Sequence, residues 1–128
     1  SWIDETLRFD GSSQMLARTV TKDVELHGVR IPAGGRALLL IGAANRDPRV
    51  FPEPDRYDLG RDTSEMVSFG VARHFCLGAP LARLEARVAL GELVRRVGDY
   101  DIDAPSAKRV HSVNVRGFES LPTTVTLR

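Results

Sequence analysis

Apolar positions change their spacing several times along the chain, and each change marks a different element. Near the start, Ile3 and Leu7 lie about one helical turn apart, which predicts a short helix over Ile3 to Phe9. Gly11, Ser12 and Ser13 break it. In DVELHGVRI the period falls to two: Val24 and Leu26 alternate with polar neighbours, and Val29 and Ile31 do so after Gly28. Pro32-Ala33-Gly34-Gly35 supplies turn chemistry, and the apolar run Arg36 to Ile41 reads as a buried strand. This stretch predicts a β-hairpin. From Asn45 to Asp62 all periodicity is lost, and Pro48, Pro52 and Pro54 exclude regular helix or ladder. Val50, Phe51 and Tyr57 argue that this irregular meander is packed down. After Cys76, Leu77, Leu81, Leu84 and Val88 recur at helical steps, and Leu90, Leu93, Val94 and Val97 extend the face. That pattern predicts a long helix with Gly98 as its stop. Val113 with Val115, and Val125 with Leu127, are weaker strand signals parted by Leu121-Pro122.

Composition narrows the picture modestly. A chain of 128 residues fits one domain with one core. A formal net charge of +1 provides no strong field for nucleic acid or an acidic membrane. The longest apolar run, Ala37 to Ala44, falls far short of the ~20 residues that cross a bilayer, so no membrane span is expected. The opening SWIDETLRFD is too polar for a signal peptide. It lacks an initiator methionine and begins directly on a helix, so the chain is expected to be a piece of something longer.

One cysteine cannot form an internal disulfide. It is a packed small hydrophobe, the common fate of a lone cysteine, or it is a reactive thiol or a metal ligand. A structural zinc site is poorly served by one cysteine and three histidines. The setting of Cys76, SFGVARHFCLGAPLARLE, carries the candidate chemistry. It lies just before the long helix, where unpaired N–H groups and the positive end of the dipole suit an anionic sulfur. Gly70 and Gly78 bracket it and allow a flat ligand to approach the backbone. Phe69 can cover the sulfur from one side. His74 and Arg73 add donors or positive charge for anionic groups on a ligand.

FGVARHFCLG resembles the haem-binding signature of the cytochrome P-450 family, which runs Phe, two residues, Gly, three residues, Cys, one residue, Gly. Phe69, Cys76 and Gly78 match it, while Ala72 replaces the middle glycine. With φ positive at that point alanine costs about 1 kcal/mol, and with φ negative it is harmless. His74 falls where many bacterial members have a propionate-binding histidine. Glu5-Thr6-Leu7-Arg8 resembles the family's ExxR motif, although Glu and Arg at this spacing are otherwise an ordinary surface pair. Phe51-Pro52-Glu53-Pro54-Asp55-Arg56-Tyr57 resembles the segment that contributes the second arginine of a Glu-Arg-Arg triad. The three matches occur in the family's order and span nearly the whole chain.

The resemblance implies an α+β fragment of the mainly-α cytochrome P-450 fold, with residues 1–128 forming its C-terminal, proximal haem-binding portion. Its parts are a short N-terminal helix, a β-hairpin, a proline-rich meander, the cysteine loop, a long helix and short C-terminal strands. It further implies haem b held by the Cys76 thiolate, with Arg18, Phe69, Gly70, His74 and Gly78 binding the cofactor. Arg18, which precedes the first predicted strand, and His74 would meet the propionates. Glu5, Arg8 and Arg56 would form a structural triad. Asn45-Arg46-Asp47-Pro48 looks like the family's turn after the strand and receives no chemical role. The implied function is monooxygenation of a small hydrophobic organic substrate in the bacterial cytoplasm, with ferredoxin and ferredoxin reductase as electron donors. Arg49, Arg73, Arg83 and Arg87 could form the docking face for an acidic ferredoxin, or a solvated helix face balanced by Glu85 and Glu92. The distal helix with its acid–Thr pair is expected to lie before Ser1, so the chain alone is expected to lack catalysis. The alternative is a truncated, non-catalytic haem-binding or scaffold remnant of the same fold.

Overall fold

The computed structural model describes residues 1–128. Helix α1 spans Trp2–Asp10. Asp4 and Glu5 occupy its first turn and Arg8 its last, as the helix dipole favours. Strand β1 (Leu16–Thr19) follows, then β2 (Val24–Leu26), β3 (Val29–Ile31) and β4 (Arg36–Leu39). The β2–β3 hairpin pairs Val24 with Ile31 and turns on His27 and Gly28, both at positive φ, 50° and 78°. A two-residue turn of that hand matches the twist of the strands it joins. Outside this hairpin β4 returns to β1, placing Leu16 opposite Leu39 and Thr19 opposite Arg36.

Two expectations for this region need correction. Arg18 lies within a strand rather than before the first one. The run Arg36 to Ile41 is not one buried strand: β4 stops at Leu39, and Ile41 opens the one-turn helix α2 (Ile41–Ala44). Leu38, Leu39 and Leu40 are exposed, since side chains alternate across the two-stranded ribbon and neither of its faces is buried.

Residues 45–71 form the meander, a series of turns. Phe51 is buried there, while Val50 is exposed rather than packed down, and Tyr57 is partly exposed with its ring edge-on to Phe9 at a centroid distance of 5.5 Å. After one 3₁₀ turn (Ala72–His74) the chain enters α3, Ala79–Arg96, with Pro80 in its first turn. Leu81, Leu84 and Val88, the stripe that announces α3 in the sequence, are each more than half exposed. No helix is long and apolar enough to cross a membrane.

The tail contains β5 (Val97–Ile102), β6 (Lys108–Arg109), β7 (Phe118–Ser120) and β8 (Thr123–Leu127). β5 pairs antiparallel with β8, and β6 with β7. The Val125–Leu127 signal falls inside β8. Val113 and Val115 do not form a strand: Val113 is exposed, and Val115 makes only an isolated bridge to Ser13. Helix α3 ends two residues before Gly98, which instead sits at a register irregularity between β5 and β8.

Six residues are buried, and half of them are polar: Glu5, Arg8 and Asn45, beside Ile41, Phe51 and Ala79. The centre of this fold is therefore an ion-pair hub. A buried charge persists only when paired and hydrogen-bonded, so the geometry of the hub dictates how the elements meet.

Candidate functional site

The hub starts from helical spacing. Glu5 and Arg8 share one face of α1, and the carboxylate accepts from Nε at 2.7 Å and Nη2 at 2.8 Å. This two-pronged pairing is the strongest geometry available to the pair. The remaining guanidinium valence binds the meander: Nη1 donates to the carbonyls of Asn45 (2.9 Å) and Pro54 (3.0 Å), and Nη2 to that of Arg56 (3.3 Å). The Asp58 backbone N–H donates to Glu5 Oε1 at 2.9 Å. Burial raises the Glu5 pKa. The Arg8 side-chain and Asp58 backbone hydrogen bonds, with the charges of Arg8 and Arg61, outweigh it and hold the carboxyl below its ordinary value of 4.5.

The second arginine at Glu5 is Arg61, where the sequence pointed to Arg56. Arg61 Nε lies 3.4 Å from Glu5 Oε1, and its Nη2 donates to the carbonyls of Glu53 (3.0 Å) and Arg56 (3.1 Å). The Arg56 guanidinium faces outward and meets only Glu53, at 3.4 Å. Arg56 serves the hub through its carbonyl. The reason is the backbone path: after Arg56 the chain turns once more, with Asp58 accepting from the Gly60 N–H, before a guanidinium returns to α1. That Asp-Leu-Gly turn was the available signal.

From the hub the chain leads into the cysteine loop. Asn45 Oδ1 accepts from the Val67 N–H and its Nδ2 donates to Ser68 Oγ, both at 2.8 Å. The Cys76 N–H donates to the Phe69 carbonyl at 2.7 Å, and the Ala79 N–H to the Cys76 carbonyl at 3.1 Å, which joins the loop to α3. Gly70 has φ 75°, and a Cβ there would meet the His74 carbonyl oxygen at 2.8 Å, so both dihedral and space call for glycine. At Gly78 a Cβ would stand 3.8 Å from the Cys76 sulfur. Ala72 has φ 50°, the costly branch for alanine. Arg83 of α3 pairs with Asp4 of α1 at 2.8 Å and lies over the Phe69 ring, 4.7 Å from its centroid.

Cys76 is exposed, so it is not a packed hydrophobe within this chain. It lines a mainly apolar cavity of about 530 Å³ together with Arg18, Phe69, Gly70 and His74. Leu16 and Leu39, a facing pair of β1 and β4, form part of the apolar wall. Of the residues expected around a cofactor, Gly78 and Arg73 are outside the lining; Gly78 stands beside the sulfur, and Arg73 is exposed on the 3₁₀ turn. No cluster of three His, Cys, Asp or Glu side chains could hold a bare metal ion. A single sulfur donor in an apolar cavity with two basic side chains suits a metal that arrives with its other ligands in a flat, anionic organic frame. Asn45, Ser68, Arg61 and Arg83 were not anticipated as parts of this site.

The Cytochrome P-450 family model matches residues 1–110. Cytochrome P-450 123 of Mycobacterium tuberculosis is 57% identical over 99% of this chain and 32% of its own length. Cytochrome P-450 monooxygenase PikC of Streptomyces venezuelae is 41% identical over 94% of this chain and 30% of its own. Among solved structures, CYP109Q5 from Chondromyces apiculatus superposes with a TM-score of 0.92 at 41% identity, over 98% of this chain and 33% of that one. The chain spans about a third of the length of the relatives it matches.

Proposed function

The chain belongs to the cytochrome P-450 family, and from that premise we propose that residues 1–128 are the C-terminal, proximal haem-binding portion of a monooxygenase, with Cys76 as the axial iron ligand. The family implies a haem cofactor, and bacterial relatives include a monooxygenase by name. One observation carries the assignment of roles. Cys76, Arg18 and His74 line a single apolar cavity, so a sulfur donor and two groups able to pair with propionates face one volume.

Thiolate-ligated haem b, when bound, supplies the activation of dioxygen by which such enzymes insert one oxygen atom into a substrate. This chain's own residues hold and orient that group. Cys76 presents its sulfur from a loop closed by its own N–H on the Phe69 carbonyl. Phe69, braced by Arg83, limits water at that sulfur. Arg18 and His74 orient the cofactor through its carboxylates. Gly70 and Gly78 keep the loop backbone open to a flat ring. Glu5, Arg8 and Arg61 hold α1 to the meander and take no part in the chemistry. The substrate of the whole protein is a small hydrophobic organic molecule, the electron donors are ferredoxin and its reductase, and the setting is cytoplasmic. Of the four arginines expected to face an acidic ferredoxin, Arg49 pairs with Asp47 and Arg83 with Asp4, which leaves Arg73 and Arg87 to offer positive charge.

Haem titration of the chain and of Cys76→Ser, followed by reduced-minus-carbon-monoxide difference spectra, tests the reading. The thiolate-type Soret band is expected only with Cys76. The same spectrum from both proteins would remove Cys76 as the ligand.

A further inference from the structure

We infer that Asn45 is the positioning residue that sets the cysteine loop against the ion-pair hub, and thereby places the Cys76 sulfur. The inference rests on the reading of Cys76 as an iron ligand. Asn45 is 2% exposed, and each of its polar groups has a partner. Its backbone faces the hub: the N–H donates to the Ile41 carbonyl at 3.0 Å, and the carbonyl accepts from Arg8 Nη1 at 2.9 Å. Its side chain faces the loop, where Oδ1 accepts from the Val67 N–H and Nδ2 donates to Ser68 Oγ. Ser68 Oγ in turn donates to the Leu7 carbonyl at 2.8 Å, one of the terminal carbonyls of α1 that the helix leaves free.

Val67 and Ser68 lead directly into the loop. The Gly70 N–H donates to the Val67 carbonyl at 2.9 Å, and the Cys76 N–H donates to the Phe69 carbonyl at 2.7 Å. Val67, Ser68, Phe69 and Cys76 all line the same cavity. Hydrogen bonds therefore run from Glu5–Arg8 through Asn45 to Val67 and Ser68, and the peptide bond from Ser68 leads on to Phe69, whose carbonyl accepts from Cys76. No other side chain bonds both the start of the loop and, through its own backbone, the buried guanidinium. Side-chain geometry explains the residue type. An amide presents a donor and an acceptor on one short arm, while a carboxylate lacks the donor and alanine lacks both.

Amide hydrogen exchange on the 128-residue chain without haem, in wild type, Asn45→Ala and Ser68→Ala, tests the placement. Loss of the Asn45 bonds is expected to speed exchange at Val67, Gly70 and Cys76 by about tenfold, with the α3 amides Ala82 to Arg96 unchanged. Ser68→Ala should raise the same set by less. A uniform rise across loop and α3, or none at the loop, would show that Asn45 is only a stabilising residue. If Asn45→Ala does not fold, the selective or uniform response of Ser68→Ala decides. In the haem-loaded proteins, the thiolate-type fraction of the difference spectrum should fall severalfold in Asn45→Ala relative to wild type. Unchanged fractions would overturn the link to the sulfur. A wild type without a Cys76-dependent band defeats the ligand assignment instead, and the exchange data still judge Asn45.

Discussion

Ala72 shows how much one dihedral can carry. At φ 50° a β-carbon is strained, and the residue has no glycine freedom to relieve it. Ala72→Gly should therefore stabilise the chain by about 1 kcal/mol in urea unfolding. Gly70→Ala should destabilise it by more than the reverse of that change, because the new Cβ also meets the His74 carbonyl at 2.8 Å. At the hub, Arg61 and Arg56 make opposite predictions from adjacent stretches of sequence. Arg61→Met strips a buried carboxylate and backbone carbonyls of a donor and should cost about 1–3 kcal/mol. Arg56→Met removes an exposed pair and should stay within about 0.5 kcal/mol. Glu5 adds a pH signature. Its folded-state pKa lies below the ordinary 4.5, so its stabilisation is full above that value and is lost as pH falls through the lower one. Glu5→Gln should be less stable than wild type at neutral pH, and the gap should close as the pH falls below 4.5. Urea midpoints at several pH values would show it. The residue types Glu5, Arg8 and Cys76 were legible because helical spacing and a local signature carry them. Arg61 was not, because its role depends on one extra turn of an irregular segment.

Among elements, the two longer helices were legible, while α2 and most strand pairings were not. Period 3.6 is a local property, and it marks α1 and α3 to within a few residues of their ends. A hairpin was legible too, but the turn chemistry at Pro32–Gly35 marked the wrong turn: β2 and β3 meet across His27 and Gly28. Gly28 has φ 78°, and a Cβ added there would have no atom within 4 Å, so glycine is needed for its dihedral alone. Gly28→Ala should thus cost about 1 kcal/mol, less than Gly70→Ala, and paired thermal melts would rank the two. By contrast β1 meets β4 across an inserted hairpin, and β5 meets β8 across the whole β6–β7 pair. Short strands with distant partners leave no periodic trace strong enough to read. Gly98 illustrates the error: a glycine near a helix end looks like a stop, yet here it serves a strand irregularity.

At the scale of the molecule, a chain with six buried residues holds its elements by a polar hub, and leaves Leu81, Leu84 and Val88 of α3 facing outward. Contiguous apolar surface of that kind binds other apolar surface. The isolated chain should bind a polarity-sensitive dye strongly, and Leu84→Ser with Val88→Ser should lower the signal without weakening the Glu5–Arg8 hub. Equal dye fluorescence in the double variant would mean that the exposed stripe is not the binding surface. The same scale explains why a polar centre suffices to build the site. The hub fixes α1 to the meander, Asn45 fixes the meander to the loop, and Arg83 fixes α3 to both Asp4 and Phe69.

By itself the sequence determined the family, the long helix and the cysteine loop with Phe69, Gly70 and His74, because each is written in local spacing or in a short run of residue types. Only the tertiary structure decided which arginine reaches Glu5, that Ala72 sits at positive φ, and that Asn45 joins hub to loop. Those facts depend on where an aperiodic backbone returns in space. Return is governed by buried hydrogen bonds between residues some twenty to fifty positions apart, such as Asn45 with Val67 and Glu5 with Asp58, and no local pattern records them.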